Sequence, residues 1–336
     1  MRIIVDAFGG DNAPKEILLG CVQAMEELGI DISLAGDRAR IEACAKELGI
    51  TDKLQKMEIL HCGDVLTMED EPTSVIKEKK DSSMAVGLRA LAEGKGDAFA
   101  SAGNSGALVV GATTIVKRIR GVKRVSFAAV MPVGDGSAVM LNDAGANADC
   151  RPEMLLQFGI LGSEYMKRVM GVKNPRVGLL NVGTESHKGD ALRKETHQLL
   201  AQCREINFIG NIEGRDIPAG TCDVAVADGF TGNVALKMYE GVALTLMGKF
   251  KEIFKKNLKN KLAASMVYGD VKALKKQIDY NEYGGAPIMG ASKPIFKIHG
   301  SANATTVKSA LRLTKAYVES GFQESVAQIV RGTDEE

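Results

Sequence analysis

The sequence lacks several features that define common classes of protein. No apolar run reaches the roughly 18 residues that a membrane-spanning helix needs. The six cysteines, at positions 21, 44, 62, 150, 203 and 222, form no close pair, so neither a zinc site nor a disulfide framework is indicated. The net charge is only +1, which disfavours nucleic acid as a partner. The opening MRIIVDAFGGD is typical of a strand and not of a signal peptide, so we expect a cytoplasmic protein.

Well-known cofactor and nucleophile motifs are missing too. No GxGxxG follows an apolar strand-like run, and GVALTLMGKF (241–250) has neither the spacing nor the hydroxyl of a Walker A loop. GxSxG and HExxH do not occur. These absences disfavour a dinucleotide cofactor, an NTP substrate and a covalent serine enzyme. We therefore expect no cofactor and no bound metal ion.

Alternating strand-like and helix-like segments make up most of the chain. Short apolar runs such as RIIVD (2–6), DISLAG (31–36) and DAFAS (97–101) each precede a segment with helical spacing. This alternation predicts an α/β fold with three αβα layers and a mostly parallel sheet, in a single domain over 1–336. Two apolar runs at 125–133 and 137–144 are separated by Gly134, Asp135 and Gly136, which predicts an antiparallel insertion.

Four glycine-rich junctions follow predicted strands and precede predicted helices. They are DAFGGDNAP (6–14), SAGNSGA (101–107), NVGTESHKGD (181–190) and DGFTGN (228–233). Ligands of parallel α/β sheets bind beyond the carboxyl ends of the strands, where glycine permits close backbone approach and helix N–H groups attract anions. The four junctions together predict a pocket for a polyoxyanion. The alternative is that they contain only ordinary cap and turn residues.

A basic segment lies between Lys249 and Lys276. Its nine lysines against Glu252 and Asp270 give a charge of +7, which leaves about −6 for the rest of the chain. An apolar stretch, LAASMVY (262–268), separates the lysine clusters and predicts an inserted amphipathic helical hairpin over 249–278. Lysines beside apolar side chains suit an anionic membrane surface, contacted here by Leu258, Leu262, Met266 and Val267. Helix packing in a dimer and an acidic protein partner are the alternatives.

Several longer motifs occur in a fixed order. RIIVDAFGGDNAP, SAGNSGAL, DGFTGNVALK and YGGAP…HGSANA resemble the bacterial phosphate acyltransferases nearly end to end. Members of that family make acyl phosphate from an acyl carrier protein thioester and inorganic phosphate, at the start of phospholipid synthesis. The resemblance implies a fold similar to those of phosphotransacetylases and isocitrate-type dehydrogenases, and a homodimer attached peripherally to the membrane. Phe8, Ser105 and Ala302 depart from the usual Met, Thr and Ser, and only Ala302 removes a possible hydrogen bond.

The implied reaction sets what the site must do. Phosphate is already largely dianionic near neutral pH, and the leaving thiol has a pKa of about 8.5, so we expect positioning to matter more than acid–base catalysis. We assign phosphate binding to Gly103, Asn104, Ser105 and Gly106, and catalysis to Lys188, Asn233, Asp228 and His299. Substrate binding is assigned to Asp6, Gly9, Gly10, Asp11, Phe230 and Gly232. Lys188 would neutralise phosphate or the oxyanion, Asn233 and the Gly232 backbone would donate to the thioester oxygen, and Phe230 would line the acyl or pantetheine arm.

Other interpretations remain open from the sequence. His299 could instead have a purely structural role, and Asp6 and Asp11 could simply cap turns. Cys62 and Cys150 are not expected to be nucleophiles, because nothing near them in sequence lowers a thiol pKa. The whole chain has two further alternatives: a phosphotransacetylase that uses coenzyme A thioesters, and a membrane-associated scaffold protein with a vestigial phosphate pocket.

Overall fold

A computed structural model describes residues 1–133, 136–277 and 284–335. The strands in these ranges are β1 Arg2–Asp6, β2 Asp31–Gly36, β3 Glu58–His61, β4 Ala98–Ser101, β5 Ser126–Pro132, β6 Ala138–Asn142, β7 Arg176–Leu180, β8 Asn207–Ile212, β9 Val224–Val226, β10 Gly285–Met289 and β11 Ile295–Ile298. The α-helices are α1 Lys15–Leu28, α2 Arg38–Glu47, α3 Thr51–Leu54, α4 Ser83–Ala92, α5 Ser105–Gly111, α6 Pro152–Arg168, α7 Ala191–Gln202, α8 Gly229–Lys255, α9 Leu258–Met266, α10 Tyr268–Gln277, α11 Ala304–Glu319 and α12 Phe322–Glu335.

The chain divides into two compact units. The first comprises Met1–Ala128, Glu164–Lys173 and Tyr283–Glu336, and the second comprises Ala129–Ser163 and Asn174–Glu282. Each unit contains two of the four glycine-rich junctions, which end β1 and β4 in the first unit and β7 and β9 in the second.

The sheet of the first unit has the strand order β3-β2-β1-β4-β11-β10, followed by the start of β5. Its pairs are parallel except those of β10, which is antiparallel to both β11 and β5. Ile4 and Phe99 lie in the buried cluster formed with α4 and α5. Since side chains alternate along a strand, the buried Ile3 and Val5 face the opposite side.

Helix packing in the first unit is close. Gly20 of α1 lies directly against Val307 of α11, where a Cβ atom would come within 2.5 Å of the valine Cβ. An aromatic cluster joins Tyr165, Tyr317 and Phe322, with ring centroids 4.9 to 6.4 Å apart. The hydroxyl of Tyr165 is buried in this cluster without a hydrogen-bond partner.

The second unit contains a parallel sheet of four strands in the order β6-β9-β7-β8. Helix α6 packs tightly on it, because a Cβ atom at Gly162 would come within 2.5 Å of a methyl group of Val224. Asn142 at the end of β6 donates its Nδ2 to the carbonyl oxygen of Phe158 in α6 at 2.9 Å.

The predicted fold class is confirmed: the protein is α/β, with covering helices and a mixed sheet that is mostly parallel. The antiparallel pairing of the runs 125–133 and 137–144 stays a prediction. Strands β1 and β2 have the predicted bounds. Strands β8, β10 and β11 were not predicted, and β10 pairs antiparallel with both β11 and β5. Residues 134 and 135 of the predicted hairpin turn lie outside the described residues. The single domain over 1–336 stays a prediction.

The described part of the basic segment is helical except at Lys256, Asn257 and Val267. A hairpin of two helices with an apolar tip was expected over 249–278, whereas residues 262–266 of the tip belong to a third helix, α9, between α8 and α10. Leu258, Leu262, Met266 and Val267 are all exposed, and Leu258 is 84% exposed. Ile278, the last residue of the predicted hairpin, lies outside the described residues. In the described ranges, no helix combines the length and apolarity required to cross a membrane.

Candidate functional site

Asp6, at the end of β1, organises two of the junctions. Its buried carboxylate accepts hydrogen bonds from Ser101 Oγ at 2.7 Å and from the backbone N of Phe8 at 3.1 Å. Ser101 Oγ in turn accepts a bond from the backbone N of Gly103 at 3.0 Å. Burial raises the pKa of Asp6, and hydrogen bonds from Ser101 and Ser83 oppose that rise.

A third loop joins these two from the end of β11. The backbone N of Asp11 donates to the carbonyl oxygen of Gly300 at 2.8 Å. Asn12 Nδ2 donates to the carbonyl oxygens of Ser301 and Ala302, both at 3.2 Å.

Glycine is required where these loops meet. Gly10 has a φ of +94°, and a Cβ atom there would lie 2.7 Å from the carbonyl oxygen of Gly300. At Gly9 a Cβ atom would lie 2.6 Å from the backbone N of Gly103. The paired glycines therefore allow three loops to pack backbone against backbone at the carboxyl ends of β1, β4 and β11.

Lys297 lies beneath this cluster of loops and was missed from the sequence. The residue is 6% exposed, and its Nζ donates to the carbonyl oxygen of Ala102 at 3.1 Å and to that of Ile298. It is paired in register with Ser101 of the neighbouring strand. A buried ammonium group is costly unless it is bonded, so a lysine within the short run IFKI was the available signal.

Asn104 caps α5 and fastens a neighbouring segment. Its Oδ1 accepts from the backbone N of Ala107 at 3.1 Å. Its Nδ2 donates to the carbonyl oxygens of Thr67, Met68 and Asp70 at 3.1 to 3.4 Å. The side chain thus already has bonds, whereas the hydroxyl-bearing Ser105 beside it is exposed.

The candidate glycine at 106 also packs against that segment. A Cβ atom at Gly106 would lie 2.8 Å from Cγ of Pro72. Residues 67–72 therefore lie close to the first turn of α5, where phosphate binding was predicted.

The ring of His299 is held by Ser301. Its Nδ1 accepts from the backbone N of Ser301 at 3.2 Å and lies 2.9 Å from Ser301 Oγ. An Nδ1 that accepts leaves the proton of the neutral ring on Nε2. In the neutral ring, Nε2–H is then the donor of this histidine.

In the second unit, Asp228 caps α8. Its carboxylate accepts from the backbone N of Thr231 at 2.9 Å, from Thr231 Oγ1 at 2.7 Å and from the guanidinium group of Arg193. Asn233 Nδ2 donates to the carbonyl oxygen of Ala144 at 3.0 Å, which uses one of its two amide hydrogens.

The loop 143–147 supports the start of α8 and was also missed. The buried carboxylate of Asp143 accepts from the backbone N atoms of Gly145, Ala146 and Asn147, and from Asn147 Nδ2, at 2.7 to 3.1 Å. The carbonyl oxygen of Asn147 accepts from the backbone N of Gly229 at 2.7 Å. Its sequence signal was DAGAN directly after an apolar run, a pattern that also fits an ordinary turn.

Lys188 lies on an exposed loop between β7 and α7. Its carbonyl oxygen accepts from Asn181 Nδ2 at 3.2 Å, and its backbone N donates to the carbonyl oxygen of Glu185 at 3.0 Å. The Lys188 side chain is exposed, as is Phe230, which is 68% exposed at the start of α8. An exposed phenylalanine on a capped turn agrees with a surface role and not with a core role.

The thiols are poor nucleophiles. Burial raises the pKa of Cys62 and of Cys150 to about 12, with nearby carboxylates adding to the rise. Such thiols carry almost no thiolate at neutral pH.

A family model described as "Fatty acid synthesis protein" matches residues 1–325. The chain belongs to this fatty acid synthesis protein family. A relative from Acetivibrio thermocellus named phosphate acyltransferase is 46% identical over 329 residues, covering 98% of this chain and 96% of that relative. A relative of the same name from Alkaliphilus oremlandii is 43% identical over 340 residues, covering 100% and 99%. The predicted family is thereby confirmed.

The fold of this family member is similar to that of a solved phosphotransacetylase from Streptococcus pyogenes. The TM-score is 0.64 over 95% of this chain and 94% of that one, with 13% sequence identity. At this identity the likeness concerns the fold alone, and it confirms the predicted similarity to phosphotransacetylases.

The candidate residues fall into two groups in this family member. In the first unit, the loops that carry Asp6, Gly9, Gly10, Asp11, Gly103, Asn104 and His299 lie together. In the second unit, Asp228, Gly232 and Asn233 form one turn, and Arg193 joins it to the loop that follows Lys188. The roles assigned to these residues stay predictions.

Proposed function

We propose that this family member transfers an acyl group from an acyl carrier protein thioester to inorganic phosphate. The observation that carries the proposal is the nearly full-length match, at 46% identity, to a protein named phosphate acyltransferase. The fatty acid synthesis family model supports a fatty acyl group as the cargo.

The reaction forms one bond and breaks another. A phosphate oxygen attacks the thioester carbonyl carbon, the C–S bond breaks, and the sulfur takes up the proton that hydrogen phosphate loses. The products are acyl phosphate and the free carrier thiol. Because phosphate supplies the nucleophile, no protein thiol is needed, which agrees with the raised pKa values of Cys62 and Cys150. Donors must meet the developing oxyanion, and that is where protein groups contribute.

Phosphate binding is proposed for the loop cluster of the first unit. The backbone N–H group of Gly106 and the hydroxyl of Ser105 supply donors, while Asn104 holds the loop through its own bonds and the N–H group of Gly103 is held by Ser101. Buried Lys297 adds a positive charge beneath the cluster. The Nε2–H group of His299 is a further donor.

Oxyanion stabilisation is proposed for the second unit. Asn233 keeps one amide hydrogen for the thioester oxygen after bonding Ala144, and exposed Lys188 supplies positive charge. Exposed Phe230, on the same turn as Asn233, offers an apolar surface to the acyl or pantetheine arm.

Attachment to an anionic membrane is proposed for α9. Leu258, Leu262 and Met266 repeat at intervals of four residues and are 69% to 84% exposed. Lysines 255, 256, 259 and 261 lie beside them in sequence. An apolar stripe flanked by lysines suits the interface of an anionic bilayer, and we infer a cytoplasmic enzyme that binds the membrane peripherally.

A homodimer is proposed through α8. Val234, Met238, Val242, Leu246 and Phe250 recur at every fourth residue, and each is at least 45% exposed. This stripe extends for about 24 Å along the helix, a length suited to pairing with a second copy. Light scattering should report a dimer for wild type and for Lys251→Glu, and a monomer for Met238→Glu. A dimeric Met238→Glu would remove the stripe from the interface.

The activity has a direct test. Purified protein is mixed with inorganic phosphate and long-chain acyl carrier protein, and acyl phosphate is sought by mass spectrometry. A parallel reaction with acyl coenzyme A tests the phosphotransacetylase alternative. No product with either donor would refute the proposed function, whereas product from coenzyme A alone would refute the carrier assignment.

The scaffold alternative makes a different forecast. It requires Lys188→Ala to retain biological activity, whereas the proposed enzyme should lose phosphate-dependent thiol release in that variant. If folded Lys188→Ala loses phosphate-dependent thiol release, the scaffold alternative is excluded and the enzyme is supported.

A further inference from the structure

Arg193 connects the caps of two helices in the second unit. Its Nη1 donates to Asp190 Oδ2 at 2.9 Å, and Asp190 is the N-cap of α7. Its Nη2 donates to Asp228, the N-cap of α8, and to Thr231 Oγ1 at 2.8 Å. The Arg193 side chain is only 14% exposed. One rigid guanidinium fork therefore fixes both helix starts.

The charges at these caps oppose anion binding unless they are neutralised. A helix N-terminus attracts anions, but a carboxylate already placed there repels a second one. The carboxylate of Asp228 is 6% exposed, so water screens it poorly. The guanidinium group neutralises it and leaves the charge of Lys188 for a substrate anion.

Arg193 is also tied to the Lys188 loop by close packing. Gly189 has a φ of +89°, and a Cβ atom there would lie 2.9 Å from Cβ of Arg193. Asn181 holds the carbonyl oxygen of Lys188 from the other side of the loop. A shift of Arg193 would therefore disturb the loop that carries Lys188 as well as the turn that carries Asn233.

We propose that Arg193 is a positioning residue for the acyl transfer, which fixes the Asp228 turn and cancels the Asp228 charge so that Lys188 and Asn233 can meet an anion. This inference rests on the proposed function. Arg193 lies in the first turn of a charged, amphipathic helix. From the sequence alone, such a position is expected to be exposed to solvent.

The test combines charge removal with rescue. Arg193→Gln, Arg193→Lys, Asp228→Asn and the double variant Arg193→Gln/Asp228→Asn are compared with wild type, and Arg204→Gln is the matched control on an exposed site after α7. Initial rates are measured against phosphate concentration with acyl carrier protein as donor. Melting temperatures with and without phosphate are recorded for each variant.

We expect Arg193→Gln to lower kcat/KM for phosphate by about 10- to 100-fold, as for a buried charge left without its partner. The double variant should recover most of the loss in kcat/KM, because it removes the carboxylate that Arg193 neutralises. Arg193→Lys keeps the charge without the fork and should fall between Arg193→Gln and wild type. Arg204→Gln should match wild type.

Two results would overturn the inference. One is an Arg193→Gln variant with wild-type kinetics. The other is a double variant no better than Arg193→Gln when their melting temperatures agree, since a merely structural arginine gives no charge rescue. If Arg193→Gln fails to fold, Arg193→Lys carries the test, because it loses the guanidinium fork, and wild-type kcat/KM for phosphate in that variant would overturn the positioning role. A wild-type protein that forms no acyl phosphate would instead contradict the proposed function.

Discussion

Gly232 of α8 lies directly against the backbone carbonyl of Asp143, and a Cβ atom at position 232 would overlap that oxygen. The contact holds the first turn of α8 against the loop 143–147. The position therefore needs glycine for space, and not only for backbone freedom.

Gly232→Ala is expected to be strongly destabilising. The added methyl group must push apart two backbone segments, which costs about 1–3 kcal/mol or more. The matched control is Gly241→Ala in the same helix, where no atom lies within 4 Å and alanine should stabilise by up to about 1 kcal/mol. Urea unfolding measures both, and equal effects of the two substitutions would contradict the packing argument.

Asp6 should give stability a specific pH dependence. Burial raises its pKa, so the folded protein holds the proton more tightly than the unfolded chain does. The contribution of Asp6 to the free energy of unfolding therefore falls as pH rises from about 3.9 to the raised pKa of the folded state. Asp6→Asn removes this titration, so the variant should gain stability relative to wild type across that window. A stability difference that does not change with pH would rule this out.

Tyr165→Phe is expected to be neutral or slightly stabilising. Its buried hydroxyl has no hydrogen-bond partner, so removing it removes a desolvation cost. Tyr239→Phe is the control, because Tyr239 Oη donates to the carbonyl oxygen of Pro132 at 2.7 Å. That change should cost about 1 kcal/mol. Thermal unfolding of the two variants tests the contrast, which fails if Tyr165→Phe is the more damaging change.

Leu262→Glu should weaken binding to anionic vesicles. The substitution removes an apolar side chain that is 69% exposed and adds a negative charge among lysines. Ser265→Glu adds the same charge to α9 without removing an apolar group and should bind better than Leu262→Glu. Flotation with anionic and with neutral vesicles measures the effect. Unchanged flotation of Leu262→Glu would remove α9 from the membrane contact.

Phe230→Ala should weaken use of the thioester while sparing phosphate. Because the ring is 68% exposed, its loss should change stability little, and kcat/KM for acyl carrier protein should fall by about tenfold. KM for phosphate should stay near that of wild type. Leu244→Ala, at a similarly exposed position of α8 outside the apolar stripe of Val234 to Phe250, is the control. A large drop in melting temperature would instead mark Phe230 as a packing residue.

Local patterns predicted the elements that follow simple rules. The β-branched run 2–6 and the apolar run 31–36 became strands with the expected bounds. Strand β10 was missed because Gly285 and Pro287 in GAPIM are typical of turns, and their pairing depends on residues distant in sequence. The same reason hid β11, whose register with β4 is set by the fold and not by its four residues.

The candidate site divides along the same line. Glycine-rich junctions are visible in sequence because their backbone demands are local, and so Gly9, Gly10 and Gly232 were chosen. Lys297 and Arg193 were not, because a lysine in a strand and an arginine in a first helical turn acquire their meaning only from bonding partners elsewhere in the chain.

The three-loop cluster of the first unit also bears on protein synthesis. Asn12 bonds Ser301, which is 289 residues further along the chain. A nascent chain can form β1 early, yet its first loop must wait for the carbonyl groups of residues 300–302 to leave the ribosome. Contacts of such long sequence separation form late and slowly, so a chaperone that shields the growing chain would have to keep this loop soluble until nearly the end of translation.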